Sequence, residues 1–229
     1  MLADEGTAGA VAELRSLPTE QASEDVGFAD GALLMLETKS LPPAEQLARI
    51  LVAGPKHIYV DLAEVLSTPT ESETDRLVAQ FGEGTAKQQS QLLMLLSVVN
   101  PPMSEDAWRW VGGLAENADF AHRGIAFEIL YHADPAKFGA LLLEKKWHWN
   151  PKEDMRCSHF GSLALASATQ GLPFEQTAAA IAPWLVLRAV EMRGGTPLDV
   201  GIAAPILGAV LGAAGLEAPD PGADISVHD

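Results

Sequence analysis

Apolar side chains recur at three- and four-residue spacing along most of this chain. Leu47, Ile50 and Leu51 form one such stripe, and Ile125 and Ile129 belong to another. This spacing places apolar side chains on one face of an amphipathic helix, whereas strands would show strict alternation of apolar and polar residues. Runs of alternating Val, Ile and Thr are missing. The pattern therefore predicts an all-α protein.

Prolines and glycines divide the chain at regular intervals. Separations of about 27 to 38 residues, which overlap the period of helix-pair repeats of roughly 34 to 47 residues, divide Pro42/Pro43, Pro69, Pro101/Pro102, Pro135 and Pro173. The helices predicted between these breaks are 8–17, 28–39, 43–53, 55–67, 71–82, 86–99, 104–116, 119–132, 136–148, 152–170, 174–193 and 197–214. The regular division predicts an α-solenoid, a right-handed superhelix of about five to six stacked antiparallel helix pairs. Within it, residues 1–40 are predicted to form an acidic helical cap, 41–216 the repeat domain and 217–229 a disordered acidic tail.

Several predicted helix starts carry a capping residue three positions before a Glu or Gln. The pairs are Thr70 with Glu73, Thr85 with Gln88, and Asn150 with Glu153. In such a pair each side chain satisfies a backbone N–H of the first turn that the helix itself leaves unbonded. Asp134 also precedes Pro135, and proline is well suited to the first helical position. These signals predict where the helices begin.

Residues 119–130 resemble the second helix of a HEAT repeat. Asp119 is the turn aspartate, and Arg123, Ala126 and Leu130 follow at spacings of three and four. Residues 87–94 and 156–163 repeat the pattern in part, although His159 stands where a small residue is expected. The resemblance implies a HEAT/armadillo-like superhelix over residues 42–193 with its second helices lining a concave surface. It implies a scaffold or binding role and no catalytic activity.

The formal charge of −16 changes the picture of possible partners. Acidic residues are concentrated at the ends, since residues 1–40 hold eight acids and two bases, and 217–229 add four acids and no base. Such a field repels nucleic acid and anionic membranes and favours a basic protein partner. The alternative is that the acidity serves solubility alone. The lone Cys157 fits a reducing compartment, and the acidic N-terminal residues do not look like a signal peptide. We therefore expect a cytoplasmic protein.

Two tryptophan pairs are the most distinctive candidate contact residues. They are Trp108 with Trp110 and Trp147 with Trp149. Residues two apart on a helix point to different sides, so we expect one member of each pair to be buried and the other exposed. Tryptophan is enriched at binding hot spots, and the alternative is that both pairs lie in the core between repeats. The predicted partner-binding residues are Trp147, Trp149, Glu128, Glu153 and Asp154.

Histidines and the cysteine cluster in one third of the sequence, but their spacing does not predict a metal site. His122 and His132 lie ten residues apart on one predicted helix, and Cys157 and His159 are two apart, so neither pair is a chelating pair. No phosphate-binding loop accompanies them, because Gly82 and Gly84 follow a predicted helix, which they are expected to terminate in a left-handed conformation. We expect no cofactor and no metal. The alternative to a binding protein is a small all-α enzyme with a groove site around His122, Glu128, His132 and His159.

Residues 200–216 form an uncharged segment that barely reaches the length of a membrane span. Pro205 interrupts it and no basic cluster flanks it, which favours a buried final helix or two short helices over a membrane segment. Taken together, the pattern predicts a non-catalytic module that binds a basic protein. An immunity protein for a toxin is one version, and an adaptor or chaperone is another. The sequence does not predict an oligomeric state.

Overall fold

A computed structural model describes residues 34–54, 65–145, 155–182 and 200–216 of the chain. Within these ranges the secondary structure is helical and contains no strand, which confirms the predicted all-α class. The helices are α1 Pro43–Ala53, α2 Glu71–Phe81, α3 Ala86–Val99, α4 Glu105–Glu116, α5 Arg123–Ala133, α6 Pro135–Lys145, α7 Met155–Thr169 and α8 Val200–Ala213. Residues 34–38 and 174–182 are also helical.

Within the described ranges, two predicted helices differ from the structure by more than one residue at an end. The helix predicted at 119–132 begins at Arg123, because residues 117–122 form turns in which the side chain of Asn117 accepts a hydrogen bond from the N–H of Asp119 at 3.0 Å. The helix predicted at 55–67 does not extend to residue 67. The buried amide of Gln46 instead donates to the carbonyl of Val65 at 3.0 Å and accepts from the N–H of Ser67 at 3.1 Å. Residues 55–64 lie outside the described part of the chain.

Predicted caps begin three of the helices. The N–H of Gln88 donates to the Thr85 hydroxyl at 3.3 Å, and the N–H of Thr85 donates to Gln88 Oε1 at 3.0 Å, a complete capping box before α3. At α6, Asp134 Oδ1 accepts from the N–H of Lys137 at 2.9 Å. The predicted pair of Asn150 and Glu153 lies outside the described residues.

The capping box before α2 contains a titrating group. The N–H of Thr70 and its hydroxyl each donate to Glu73 Oε2 at 2.8 Å. These two bonds hold the pKa of the Glu73 carboxyl below its usual value of 4.5, and the bond from the backbone N–H has the larger effect. Arg76 Nη2 lies 3.8 Å from Glu73 Oε1, and its positive charge lowers this pKa further. The partial loss of hydration of the carboxylate raises the pKa and so opposes these contributions. The ionised carboxylate is therefore the form that the folded helix start favours.

This box makes the stability of α2 depend on pH. Because the folded pKa of Glu73 lies below the unfolded one, the stabilisation is fully present above about pH 4.5 and is lost as the pH falls through the folded pKa. In Glu73→Gln the amide oxygen can still accept both bonds, and we expect the acid-dependent part of the loss to disappear. The check is the urea midpoint of both proteins from pH 7 to pH 3. Gln88→Glu is the matched control, because it should add the same pH dependence at the start of α3. If the urea midpoints of the wild type and both variants changed with pH in parallel, the assignment of this dependence to Glu73 would be wrong.

Gly82 corrects one sequence prediction. It ends α2 with φ of −67° and ψ of −29°, a right-handed conformation, instead of the left-handed one expected of it. Its role is to allow a close approach, because a Cβ at this position would lie 2.7 Å from Trp110 Nε1. The indole N–H donates to the carbonyl of Gly82 at 3.1 Å. Left-handed helix ends do occur at Gly54, with φ of 58°, and at Asn100, with φ of 43°.

The chain divides into two compact units, residues 1–114 and 115–229. In the first unit α1 packs against α2 and α3, and α2 packs against α3. The large side chains buried there include Leu47, Ile50, Leu51, Leu77, Leu92, Leu93 and Leu96. Trp108 is also buried, whereas Trp110 is half-buried, so the expectation of one buried and one exposed tryptophan is met only for Trp108.

In the second unit α7 is the helix that organises the packing. It contacts α5, α6 and α8. Phe127 of α5 and Phe138 of α6 are fully buried and meet edge to face, with their ring centroids 5.1 Å apart. Gly139 of α6 lies directly against α7, where a Cβ would be only 2.6 Å from the Cβ of Ala168. The absence of a side chain at Gly139 therefore permits the close approach of these two backbones.

Helix α8 corrects the expectation of a buried final helix. It is a single helix that contains Pro205, so the chain does not break there. Among the side chains described on and just after it, Ile206 is buried, but Leu207 is 45% exposed and Leu216 is 59% exposed. One side of α8 packs against α7 and another faces solvent. Among the described helices, none has both the length and the apolar character that crossing a bilayer requires.

Candidate recognition surface

Helices α5 and α7 pack side by side and together carry a surface rich in rings. On α5, Glu128 precedes Tyr131 and His132 by three and four residues. On α7, Arg156 precedes His159 and Phe160 at the same spacing. Residues three and four apart share a helix face. Each helix thus contributes one charged residue and two rings to the surface.

The four rings contact one another. Phe160 lies 5.5 Å from Tyr131, 5.5 Å from His132 and 5.0 Å from His159, measured between ring centroids, and the two histidines meet it edge-on. Tyr131 and His132 are also in contact at 5.4 Å. Tyr131 and Phe160 are half-buried, whereas both histidines are exposed. We call these four residues the ring cluster. Edge-to-face contacts favour particular orientations of these rings.

An ion pair lies one helical turn from the ring cluster. Arg156 Nη1 is 3.6 Å from Glu128 Oε2, and the two side chains are 52% and 25% exposed respectively. This separation is longer than the roughly 2.7 to 2.9 Å of a charge-assisted hydrogen bond. The carboxylate of Glu128 is therefore engaged only loosely by its own chain through this pair.

Arg123 and Phe127 form part of the buried side of α5. Arg123 is 6% exposed, and its Nε donates to the carbonyl of Ala115 at 2.6 Å. Ala115 lies in the last turn of α4, whose carbonyl groups lack partners within the helix. The guanidinium also lies 5.4 Å from the centre of the buried Phe127 ring. Arg123 thus ties the first turn of α5 to the carbonyl of Ala115.

Three of the four residues of the alternative catalytic groove, Glu128, His132 and His159, lie on this surface of α5 and α7. His132 and His159 both contact Phe160, and Glu128 pairs with Arg156. His122 lies at the start of α5, where its ring is 6.2 Å from that of Phe120. The predicted contact residues Trp147, Trp149, Glu153 and Asp154 lie outside the described residues, so Glu128 is the one member of that set that the structure places.

A cavity of about 550 Å³ lies where the end of α7 and the turn after it face α8. It is lined by small and uncharged residues, namely Ala166, Ser167, Thr169, Gln170, Gly171, Leu172, Pro205, Gly208, Ala209, Gly212 and Ala213. None of the candidate catalytic residues belongs to this lining. Across the described ranges, no three His, Cys, Asp or Glu side chains are arranged to hold a metal ion. Cys157 is fully buried, as expected of a thiol that packs as a small apolar group.

Tyr131 and Phe160 are the members of the ring cluster that sequence reasoning missed. The signal was available as a shared pattern, because α5 and α7 each carry a charged residue followed by rings at three- and four-residue spacing. Only the packing of α5 on α7 brings the two patterns together. Compared with known proteins, the chain matches no protein-family model, no curated protein and no solved structure.

Proposed function

We propose that this chain is a non-catalytic helical-repeat protein that binds a basic protein partner. The observation that carries the proposal is the ring cluster on α5 and α7. Preformed clusters of aromatic side chains supply contact area at a low entropic cost, because the rings are already held in position. Tyrosine in particular is enriched among the residues that dominate binding energy.

The chemistry around the ring cluster supports binding over catalysis. Its exposed members are two histidines that both contact the apolar ring of Phe160, and His132 also contacts the ring of Tyr131. General acid–base catalysis requires a base positioned against a nucleophile or a substrate proton. The arrangement of rings beside an ion pair is better suited to recognising another protein surface.

The arrangement we propose for the whole chain is the α-solenoid of stacked helix pairs. Its support is that α1 contacts both α2 and α3, and that α5 contacts both α6 and α7. In a stack of antiparallel pairs, a helix meets its partner within the pair and the equivalent helix of the next pair. Such an array exposes a row of helices to a partner.

The charge of the chain supports a basic partner. The formal charge of −16 raises the encounter rate with a positively charged protein and disfavours nucleic acid. An immunity protein that neutralises a basic toxin is one version of this function. An adaptor or chaperone for a basic protein is the other, and the identity of the partner distinguishes the two.

The experiment is native affinity capture from the source cells, followed by calorimetry with the purified partner. We expect the captured partner to have a basic sequence and to bind this chain directly in the calorimeter. Phe160→Ala should weaken the affinity by a hot-spot-sized effect of about 2 kcal/mol, since it removes the central ring of the cluster. The double variant Trp147→Ala, Trp149→Ala tests the predicted contact residues in the same assay.

Phe174→Ala is the matched control, because Phe174 is also a partly exposed phenylalanine, at 45%, but has no described contact with the ring cluster. It should leave the affinity unchanged. Circular dichroism establishes that each variant is folded. An acidic partner, the absence of any direct partner, or equal effects of the Phe160 and Phe174 variants would contradict the proposal.

A further inference from the structure

We propose that Arg156 occupies, in the free protein, the position that an arginine of the partner takes in the complex. In this view the Glu128–Arg156 pair is a self-contact that the partner guanidinium displaces. The inference rests on the proposed function, and it specifies the chemistry of the partner contact as a guanidinium that binds Glu128 and stacks on the ring cluster.

The geometry of the pair is the first argument. The 3.6 Å separation is too long for a strong charge-assisted hydrogen bond, and the side chain of Arg156 is 52% exposed. Pairs of this kind in contact with solvent contribute little to stability. A guanidinium that approaches Glu128 at a shorter distance therefore replaces only this long, solvent-exposed contact of the Glu128 carboxylate.

The surroundings of the pair are the second argument. Glu128 shares its face of α5 with Tyr131 and His132, so a cation that reaches its carboxylate from solvent also meets rings. A guanidinium is planar, can bind a carboxylate through two N–H groups and can stack on an aromatic face. The protein already uses such stacking internally, where Arg123 lies 5.4 Å from the centre of the Phe127 ring.

These features favour arginine over lysine. An ammonium group is a compact, strongly hydrated point charge, and it cannot bind a carboxylate in the bidentate manner or stack as a plane. A contact made by charge alone would accept both residues equally. A contact made by Glu128 together with the ring cluster should prefer arginine.

The test is an NMR titration of the full chain with an acetylated, amidated tri-arginine peptide, and with the tri-lysine equivalent, at low salt. The ring signals of Tyr131 and Phe160 report binding at this surface and not elsewhere on an acidic protein. We expect Arg156→Gln to bind tri-arginine about fivefold more tightly than the wild type, because Glu128 is no longer occupied. Glu128→Gln should weaken the binding by about fivefold or more.

Arg109→Gln is the matched control for charge. Arg109 forms a comparable surface pair with Asp106 at 2.9 Å on α4, so its loss changes the net charge identically without touching the ring cluster. We expect an effect below about twofold from it. A second check is Phe160→Leu, which should reduce the preference for arginine over lysine while the protein stays folded.

Equal effects of Arg156→Gln and Arg109→Gln would overturn the inference, since net charge alone would then explain them. An unchanged affinity in Glu128→Gln, or no shift of the ring signals in any protein, would also overturn it. These outcomes are separable from the proposed function. If a basic partner bound less tightly to the Phe160 variant but equally well to the Arg156 variant, the proposed function would still hold. Only the proposed exchange of arginines would then be wrong.

Discussion

Replacing Gly139 by alanine should destabilise the protein by about 3 kcal/mol. The new methyl group would lie 2.6 Å from the Cβ of Ala168 and closer still to the carbonyl of Ala164, which is backbone and cannot rotate away. Relief requires α6 and α7 to separate, and this movement would disturb the contact between Phe127 and Phe138. The measurement is the free energy of unfolding from urea denaturation at neutral pH.

Gly113→Ala provides the matched control on α4. A Cβ at Gly113 would meet no atom within 4 Å, so the substitution adds a better helix former without a clash. It should stabilise the protein by roughly 0.5 to 1 kcal/mol. If both substitutions changed the free energy of unfolding by a similar amount, the effect at Gly139 would come from glycine flexibility and not from the close approach of α6 and α7.

Replacing Arg123 by alanine should also cost about 3 kcal/mol. The substitution removes a buried hydrogen bond to the carbonyl of Ala115 and the contact of the guanidinium with Phe127. It also removes a positive charge from the C-terminal end of α4, where the helix dipole is negative. Thermal and urea unfolding measure the loss, and circular dichroism shows whether the remaining helices persist.

Two further variants separate the contributions of Arg123. Arg123→Lys keeps the charge but has no planar group to lie over Phe127, so it should recover only part of the stability. Arg109→Ala removes an arginine that is 77% exposed and should change the stability by less than about 0.5 kcal/mol. Full recovery by lysine would contradict the assigned geometry, because charge alone would then be sufficient.

The sequence predicted the helices well because their signals are local. The bounds of α1 and α3 agree with the predicted 43–53 and 86–99, and the capping box of Thr85 and Gln88 forms as its spacing indicates. A cap involves residues three apart, so no knowledge of distant packing is needed to recognise it. A late start, at Arg123, occurs where turns at 117–122 take the place of the predicted first helical turn.

The candidate surface could be predicted only in part. Glu128, His132 and His159 were singled out together from the sequence, but as members of a catalytic groove, and only Glu128 was also among the predicted partner-binding residues. Their shared neighbour Phe160 and the partner of Glu128, Arg156, lie on a second helix. Which faces of two helices meet depends on packing between residues far apart in the sequence, which periodicity on each helix does not specify.

Local spacing by itself therefore determined the helical class, the helix starts and the apolar faces, because each depends on residues within a turn or two of one another. Tertiary packing decided the rest. It gave Gly82 a right-handed conformation beside Trp110, required a glycine at position 139, and joined the rings of α5 and α7 into one surface. The reason is physical: close backbone approach and ring-to-ring contact are properties of pairs of helices, and neither helix encodes them alone.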